Sequence, residues 1–348
     1  MAGPPPEPEW PFAGWTGEPG PCVARGRADG SPTSASSKTS YNRLALVPQE
    51  APLDSPVIIP RVAVASLAFL RSEIPSGHPS AAVLGEERMG AGVAVAPDAV
   101  LTAHYLVLGA ARTQVTGADG RTRAVRRIAL DHESGLALLS IDGPPLRPAT
   151  LSPIPAVPGS AIFLLTCTSE AERKGATGHV SVVGPFEAFW EYMLDRAIMT
   201  TAINPGLAGG PLLDLEARVI GIVSLGLAAV GRYSLAIPVD LFLARREAME
   251  SEDSAPEARR AWVGFYPQGH EGGVAISGVV AGGPAEKAGL QRGDLVLSVD
   301  GQPVSSLREL YCALWRKGPG EPLGMQILRD AAINVVEVVA GDRYEFYK

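Results

Sequence analysis

The residues that could serve nucleophilic catalysis fall in three short stretches of the chain. His104 lies in the first, Asp131 and His132 are adjacent in the second, and residues 204–211 form a glycine-rich loop. An imidazole oriented by a carboxylate is the general base that takes the proton of an attacking hydroxyl or thiol. No Ser, Thr or Cys occurs between residues 202 and 223, so the loop brings no nucleophile to this chemistry.

The histidines and cysteines form no metal-ligand pattern. The five His and three Cys residues lie far apart along the chain, and none repeats the spacing of a zinc site. We therefore predict no metal site and no cofactor.

Short apolar runs between turn residues predict many β-strands in the region that carries these stretches. Gly (39) and Pro (31) are plentiful and aromatic residues make up only 6%, which is typical of short strands joined by turns. The patterned region of about 180 residues is long enough for two small barrels. The apolar runs cover residues 62–70, 92–96, 99–103, 128–130, 136–141, 161–165, 179–183, 197–201, 219–223 and 234–237.

Composition divides the chain into four parts. Residues 1–56 are rich in Pro and Ser and are predicted to be disordered, because such a segment buries too little apolar area to offset its ordering entropy. The β-rich domain spans residues 57–244. Residues 245–260 combine charge, Ser and Pro, which predicts a linker. A second compact domain occupies residues 261–348, where a capping box from Ser306 to Glu309 begins a helix.

Charge and hydropathy limit the partners and the location. The net charge of −7 argues against nucleic-acid binding, which usually needs a basic face. No run of 18 apolar residues occurs, so no membrane-spanning helix is predicted. The first residues lack the pattern of a secretory signal, which by default predicts a cytoplasmic protein; a misassigned start codon would instead allow a periplasmic or other extracytoplasmic location.

Several segments in order resemble the HtrA family of trypsin-like serine proteases. They cover residues 90–98, 100–107, 131–139, 204–214 and 219–222. Residues 283–303 look like the PDZ domain that follows the protease domain in that family, and the resemblance spans roughly residues 57–345. It implies a mainly β protein, with a trypsin-like double β-barrel followed by a small α+β PDZ domain.

The resemblance also implies a Ser-His-Asp triad between the two barrels, but this chain departs from it at all three positions. The family's histidine position is Tyr105, its acid position is Gly135 and its nucleophile position is Ala208. The three replacements fall in register with the family. His104 lies one place early, and we expect its side chain to point away from the cleft.

Four other residues near these positions are interpreted as structural or vestigial. We interpret Asp131 and His132 as polar residues of a solvated connecting turn. Gly206 and Gly209 are interpreted as a vestigial oxyanion loop, whose N–H groups could still point at an oxyanion or could simply preserve a turn.

The PDZ resemblance implies a groove that binds a peptide C-terminus. Backbone N–H groups of a glycine-containing loop would hold the carboxylate while the peptide pairs with a neighbouring strand. The predicted peptide-binding residues are Val263, Gly264 and Phe265 in the loop, and Leu310 and Leu314 on the helix. Phe265 and Leu314 could equally be core residues.

Three functions remain open at this stage. The first is a catalytically inactive HtrA-like pseudoprotease that binds polypeptide C-termini or unfolded segments through its PDZ domain and acts in protein quality control. The second is an active serine-type endopeptidase with a rearranged site. The third is a structural subunit that co-assembles with an active HtrA-type relative, or forms a homo-oligomer such as the family's trimer.

Overall fold

The computed structural model describes residues 61–227, 233–251, 259–270 and 273–348, which all lie in one compact unit. The predicted disordered segment, residues 1–56, lies outside the described residues. So does part of the predicted linker, residues 252–258.

Six antiparallel strands close the first barrel in the order β1-β2-β3-β6-β5-β4. Alternate residues of each strand point into the barrel. In β3 all five residues are buried, so both faces of this strand are covered. A single 3₁₀ turn, His104–Leu106, follows β3 and places the first candidate site residues at the barrel's edge. The elements are α1 (Arg61–Ser66), β1 (Leu67–Glu73), α2 (Ala81–Leu84), β2 (Glu87–Ala96), β3 (Ala99–Ala103), β4 (Arg112–Thr116), β5 (Thr122–Asp131) and β6 (Leu136–Ile141).

Six further strands close the second barrel in the order β10-β11-β12-β9-β8-β7. One buried apolar cluster contains residues of both barrels, among them Leu101 and Leu136 of the first and Leu194 and Leu235 of the second. The two barrels therefore share a core. The elements are β7 (Ala161–Cys167), β8 (Arg173–Ala188), β9 (Tyr192–Thr200), β10 (Pro211–Leu213), β11 (Val219–Leu227), β12 (Tyr233–Pro238) and α3 (Val239–Glu250).

The C-terminal domain is a sheet with strand order β13-β14-β15-β17-β18, to which β16 adds beside β15. Its longest helix, α5, begins as predicted: the Ser306 side chain accepts a hydrogen bond from the Glu309 N–H at 3.2 Å. The elements are β13 (Phe265–His270), β14 (Gly273–Val279), α4 (Pro284–Lys287), β15 (Leu295–Val299), β16 (Gln302–Pro303), α5 (Leu307–Leu314), β17 (Pro322–Arg329), β18 (Ala332–Val339) and α6 (Arg343–Phe346).

The observed fold is mainly β, as the sequence predicts. One local feature differs from the expectation: the first half of the apolar run at residues 62–70 is helical. Among the described residues, no helix has the length and apolar character needed to cross a bilayer.

Candidate functional site

The position of the family's catalytic histidine holds a phenol that bridges the barrels. Tyr105 lies in the 3₁₀ turn after β3, and its hydroxyl donates a 2.7 Å hydrogen bond to the carbonyl of Ser224 on β11. Burial raises the pKa of this phenol far above its usual value. A neutral phenol whose proton is already donated to a carbonyl does not act as a general base.

His104 lies behind this position and is buried. Its Nδ1–H donates to the carbonyl of Gly135 at 3.0 Å. Burial lowers the pKa of His104 to about 4, with the charge of Arg343 as a further cause. The imidazole is therefore neutral at physiological pH and is engaged with backbone at one of its two nitrogens.

The position of the family's acid is filled by a tyrosine from the other barrel. Gly135 has φ of +77°, and a Cβ there would lie 2.6 Å from Oη of Tyr192. Tyr192 begins β9, and its hydroxyl donates to the carbonyl of Ser134 at 2.7 Å. The space in which a side chain at residue 135 would begin is thus occupied by the Tyr192 ring.

Asp131 and His132 are buried, so the expectation of a solvated turn is wrong. They are 5% and 4% exposed because the turn is covered by α3 and by the C-terminal residues. The Asp131 carboxylate accepts hydrogen bonds from Ser134 Oγ at 2.5 Å, from Arg245 Nη1 at 2.6 Å and from the Glu133 N–H at 3.1 Å. None of these donors is a histidine.

The His132 ring is packed but lacks hydrogen-bond partners. Both ring nitrogens are buried without a partner within the described residues. The Tyr344 ring covers it at 4.5 Å between centroids. Burial lowers the pKa of His132 well below its usual value, which keeps the ring neutral.

The nucleophile position carries a methyl group on a tightly packed loop. The Ala208 carbonyl accepts from the N–H of Ala91 on β2 at 2.7 Å, which ties the loop to the first barrel. The next residue, Gly209, has φ of +92°, and a Cβ there would lie 2.0 Å from the Ala91 carbonyl oxygen. Glycine is therefore required at residue 209 by this close approach.

The N–H groups of the vestigial oxyanion loop are engaged within the protein. Gly209 N–H donates to the Val223 carbonyl at 2.7 Å. Gly206 N–H donates to Oδ1 of Asn204 at 3.3 Å. An oxyanion hole needs donors aimed at the substrate oxygen, and these two groups are aimed at the protein's own oxygens.

In the C-terminal domain, the predicted carboxylate-binding loop does contact a carboxylate, and that carboxylate belongs to the same chain. Glu191, at the tip of the β8–β9 hairpin, accepts from the N–H groups of Val263 at 2.8 Å, Gly264 at 2.6 Å and Phe265 at 3.2 Å. Glu191 is 3% exposed. Burial raises its pKa, against the opposing effects of the three N–H groups and of Arg343.

The backbone of the hairpin tip is held by two further side chains of the C-terminal domain. The Tyr311 hydroxyl on α5 donates to the Ala188 carbonyl and accepts from the Glu191 N–H at 3.2 Å. The Arg343 guanidinium donates to the carbonyls of Trp190 at 2.6 Å and Glu191 at 3.1 Å.

The other predicted peptide-binding residues are buried in the core of the C-terminal domain. Phe265, Leu310 and Leu314 are each 0–1% exposed. Met193 of β9 belongs to the same buried apolar cluster. The second barrel therefore contributes an apolar side chain to the core of the C-terminal domain.

Sequence reasoning missed the residues that fill both sites. Tyr192 and Glu191 are consecutive, and each lies in a place where the resemblance implies something else. The only local signal was a hairpin turn, Phe189–Glu191, that lacks glycine. Arg343, the cation nearest to that turn, lies more than 150 positions away in the chain and had no recognisable motif.

Comparison with known proteins supports the fold and the order of the two domains. Residues 90–222 match a trypsin-like peptidase domain, and residues 261–339 match a PDZ domain. The chain is similar to the "Probable periplasmic serine endoprotease DegP-like" of Halomonas elongata, with 29% identity over 286 residues, which cover 76% of this chain and 59% of that protein. The protein of the same name from Hahella chejuensis is 29% identical over 278 residues, which cover 73% and 58%.

Solved structures of HtrA-type proteases have a similar fold. The HtrA-type protease AlgW with tripeptide matches with a TM-score of 0.50 and 25% identity, and covers 81% of this chain and 95% of that one. The serine endoprotease from Yersinia pestis matches with a TM-score of 0.51 and 21% identity, over 81% of this chain and 96% of that one, which supports the fold alone. The chain has the HtrA/DegP-type architecture, a trypsin-like β-barrel domain followed by a PDZ domain.

The relatives differ from this chain in length, and their names bear on its location. The chain spans a little under three fifths of the length of the curated relatives quoted above. The expectation of a cytoplasmic location is contradicted, because these relatives are named periplasmic proteases. The N-terminal pattern used for that expectation lies outside the described residues.

Proposed function

We propose that this HtrA/DegP-type protein is a catalytically inactive protease homologue that binds polypeptide C-termini or unfolded segments through its PDZ domain. We place it in the periplasm, as the names of its relatives indicate, and in protein quality control. The single observation that carries the proposal is the methyl group of Ala208 at the nucleophile position.

The residues that flank Ala208 in the sequence do not supply a replacement nucleophile. No Ser, Thr or Cys lies between residues 202 and 223, and Ala208 is fixed to Ala91 by a 2.7 Å backbone hydrogen bond. Loss of a triad member typically lowers the rate of such enzymes on the order of 10⁴–10⁶-fold, and loss of the nucleophile alone is close to the full effect.

The base and acid positions support the same proposal. Tyr105 presents a hydroxyl that already donates to Ser224, and Gly135 leaves no room for a carboxylate while Tyr192 is in place. Restoring one group would therefore not restore the relay of a proton from hydroxyl to imidazole to carboxylate.

Peptide binding is supported by the chemistry of the PDZ loop. The N–H groups of Val263, Gly264 and Phe265 converge on one carboxylate in this structure, which is the ligand group that a peptide C-terminus would offer. The similarity to an HtrA-type protease solved with a tripeptide adds to this support.

The test of inactivity uses unfolded casein and a fluorophosphonate probe. We expect neither cleavage nor labelling of the purified protein, whereas an active DegP-type protease shows both. The Ala208→Ser variant is the matched control, and we expect it to remain inactive because Tyr105 provides no base. Labelling of the unmodified protein at one probe per chain would overturn the proposal.

The hydrogen-bonded pair of His78 and Ser80 does not form a rearranged active site. The Nδ1 atom of His78 lies 2.8 Å from Oγ of Ser80. That serine is 4% exposed, its hydroxyl donates to the Leu108 carbonyl, and it accepts from Arg88. A buried hydroxyl held in this way serves the first barrel's structure rather than attack on a substrate.

The role of structural subunit remains a prediction. Size-exclusion chromatography with light scattering of the full chain, alone and mixed with an active HtrA-type relative, separates a monomeric adaptor from an assembly subunit.

A further inference from the structure

The β8–β9 hairpin ends in a turn with an unusual residue at its last position. Ala188 is opposite Tyr192 in the register, so the turn has three residues, Phe189 to Glu191. Glu191 has φ of +53°. Three-residue hairpin turns commonly place a residue in this left-handed region, where Gly and Asn are favoured. A glutamate held there indicates that contacts of its side chain compensate for the backbone strain.

Those contacts are made with the carboxylate-binding loop of the PDZ domain. Both carboxylate oxygens of Glu191 are used: Oε2 accepts from Val263, and Oε1 accepts from Gly264 and Phe265. A buried carboxyl group without hydrogen-bond partners would be costly, and these three N–H groups supply partners to both of its oxygens. Three donors from consecutive residues therefore bind Glu191 as they would bind the end of a peptide.

We infer that Glu191 is a built-in ligand of this PDZ domain: its carboxylate occupies the site of a peptide's C-terminal carboxylate, and peptides bind only when the hairpin withdraws. The inference rests on the proposed peptide-binding function, and it adds how that site is regulated.

Two further side chains of the PDZ domain hold the hairpin tip in place when Glu191 occupies the loop. Tyr311 hydrogen bonds with the backbone of both Ala188 and Glu191, and Arg343 donates to the carbonyls of Trp190 and Glu191. Withdrawal of the Glu191 carboxylate alone would leave these contacts in place. Full opening of the groove therefore requires the PDZ domain to release the whole hairpin tip of the second barrel, which couples peptide binding to the arrangement of the two domains.

The hairpin reproduces only part of a peptide ligand. Within the described sheet, β13 pairs with β14 alone and remains an edge strand. A peptide could satisfy the same three N–H groups and also add as a strand to β13, gaining main-chain hydrogen bonds that the hairpin does not make. The internal carboxylate has the advantage of a high effective concentration. A peptide thus competes with the hairpin, and its apparent affinity is reduced by the fraction of molecules that are open.

The experiment uses the full-length chain and four proteins. These are the unmodified protein, Glu191→Ala, Glu191→Gly and the control Glu216→Gln. Glu191→Gly removes the carboxylate while relieving the left-handed backbone, so it keeps the test valid if the alanine variant folds poorly. Glu216 is an exposed carboxylate whose ion pair is with Arg218.

Two measurements are made on each protein. The first is binding to an array of random-sequence peptides that carry either a free or an amidated C-terminus. The second is amide hydrogen exchange at residues 263–265. We expect both Glu191 variants to bind free-carboxylate peptides at least about tenfold more tightly than the unmodified protein and Glu216→Gln. We also expect exchange at residues 263–265, without peptide, to rise at least about tenfold.

The outcomes separate this inference from the proposed function. Equal binding of free-carboxylate peptides by all four proteins would overturn the internal ligand and leave peptide binding intact. Faster exchange in the Glu191 variants without binding of any peptide would support the internal ligand and overturn the peptide-binding function. Unchanged exchange together with no binding would overturn both.

Discussion

A methyl group at residue 135 should lower the free energy of unfolding for two reasons, one in the backbone and one in the packing. Gly135 has φ of +77°, and a Cβ there would meet Tyr192 at 2.6 Å from Oη and 3.0 Å from Cζ. The left-handed conformation costs an ordinary residue about 1–2 kcal/mol. Forcing a methyl against a packed ring costs about a further 1–3 kcal/mol. We therefore expect Gly135→Ala to lower the free energy of unfolding by about 2–5 kcal/mol.

Gly120 offers a matched control. It has φ of +73°, and a Cβ there would meet nothing within 4 Å. Gly120→Ala should therefore cost only the conformational part, about 1–2 kcal/mol. The difference between the two variants isolates the contact with Tyr192.

Urea-induced unfolding, followed by fluorescence and circular dichroism, measures both variants. Each glycine substitution is also made in a Tyr192→Ala background, so that a double-mutant cycle gives the coupling. In that background, Gly135→Ala should cost no more than Gly120→Ala. Equal costs in the original background, or an excess cost that persists without the Tyr192 ring, would refute the conclusion that this ring fills the acid position.

The same physics bears on any attempt to restore the catalytic relay. An aspartate at residue 135 would add a carboxylate to a position that already rejects a methyl group. Such a variant would need a smaller residue at Tyr192 before the acid could take its place.

Three further predictions concern single groups. His104 has its pKa lowered to about 4 by burial, so the stability it supports is present above about pH 6.5 and is lost as the pH falls toward 4; relative to His104→Gln, unfolding measurements across that range should show an additional loss of about 3 kcal/mol. Tyr311→Phe removes the hydroxyl that contacts Ala188 and Glu191 and should lower the free energy of unfolding by about 1–3 kcal/mol, with faster amide exchange at Glu191; unchanged exchange there would contradict the role given to the hydroxyl. Ser306→Ala removes the cap of α5 and should cost about 1 kcal/mol in a urea titration, and no loss would show that this cap is dispensable.

Much of the architecture follows from short-range features of the sequence. Alternating apolar runs predicted strands, and the ordered segments between residues 90 and 222 indicated the double barrel that the structure and the comparisons confirm. The Ser306–Glu309 capping box predicted the start of α5 within one residue. Such features work because strand alternation and helix caps involve residues a few positions apart. By contrast, the apolar run at residues 62–70 satisfied the strand pattern, yet its first half is helical in α1.

By itself, the sequence determined that residue 208 carries no nucleophilic atom, because the side chain of alanine is a methyl group. It also predicted that residues 263–265 suit a carboxylate. Only the tertiary structure decided what fills these places: Tyr192 reaches Gly135 across 57 positions, and Glu191 reaches Gly264 across 73. Neither contact has a local signature, because a tyrosine or glutamate at a hairpin tip is compatible with solvent as well as with burial. Their partners are set by the packing of one barrel on the other and of the PDZ domain on both, which joins residues that no periodicity or motif relates.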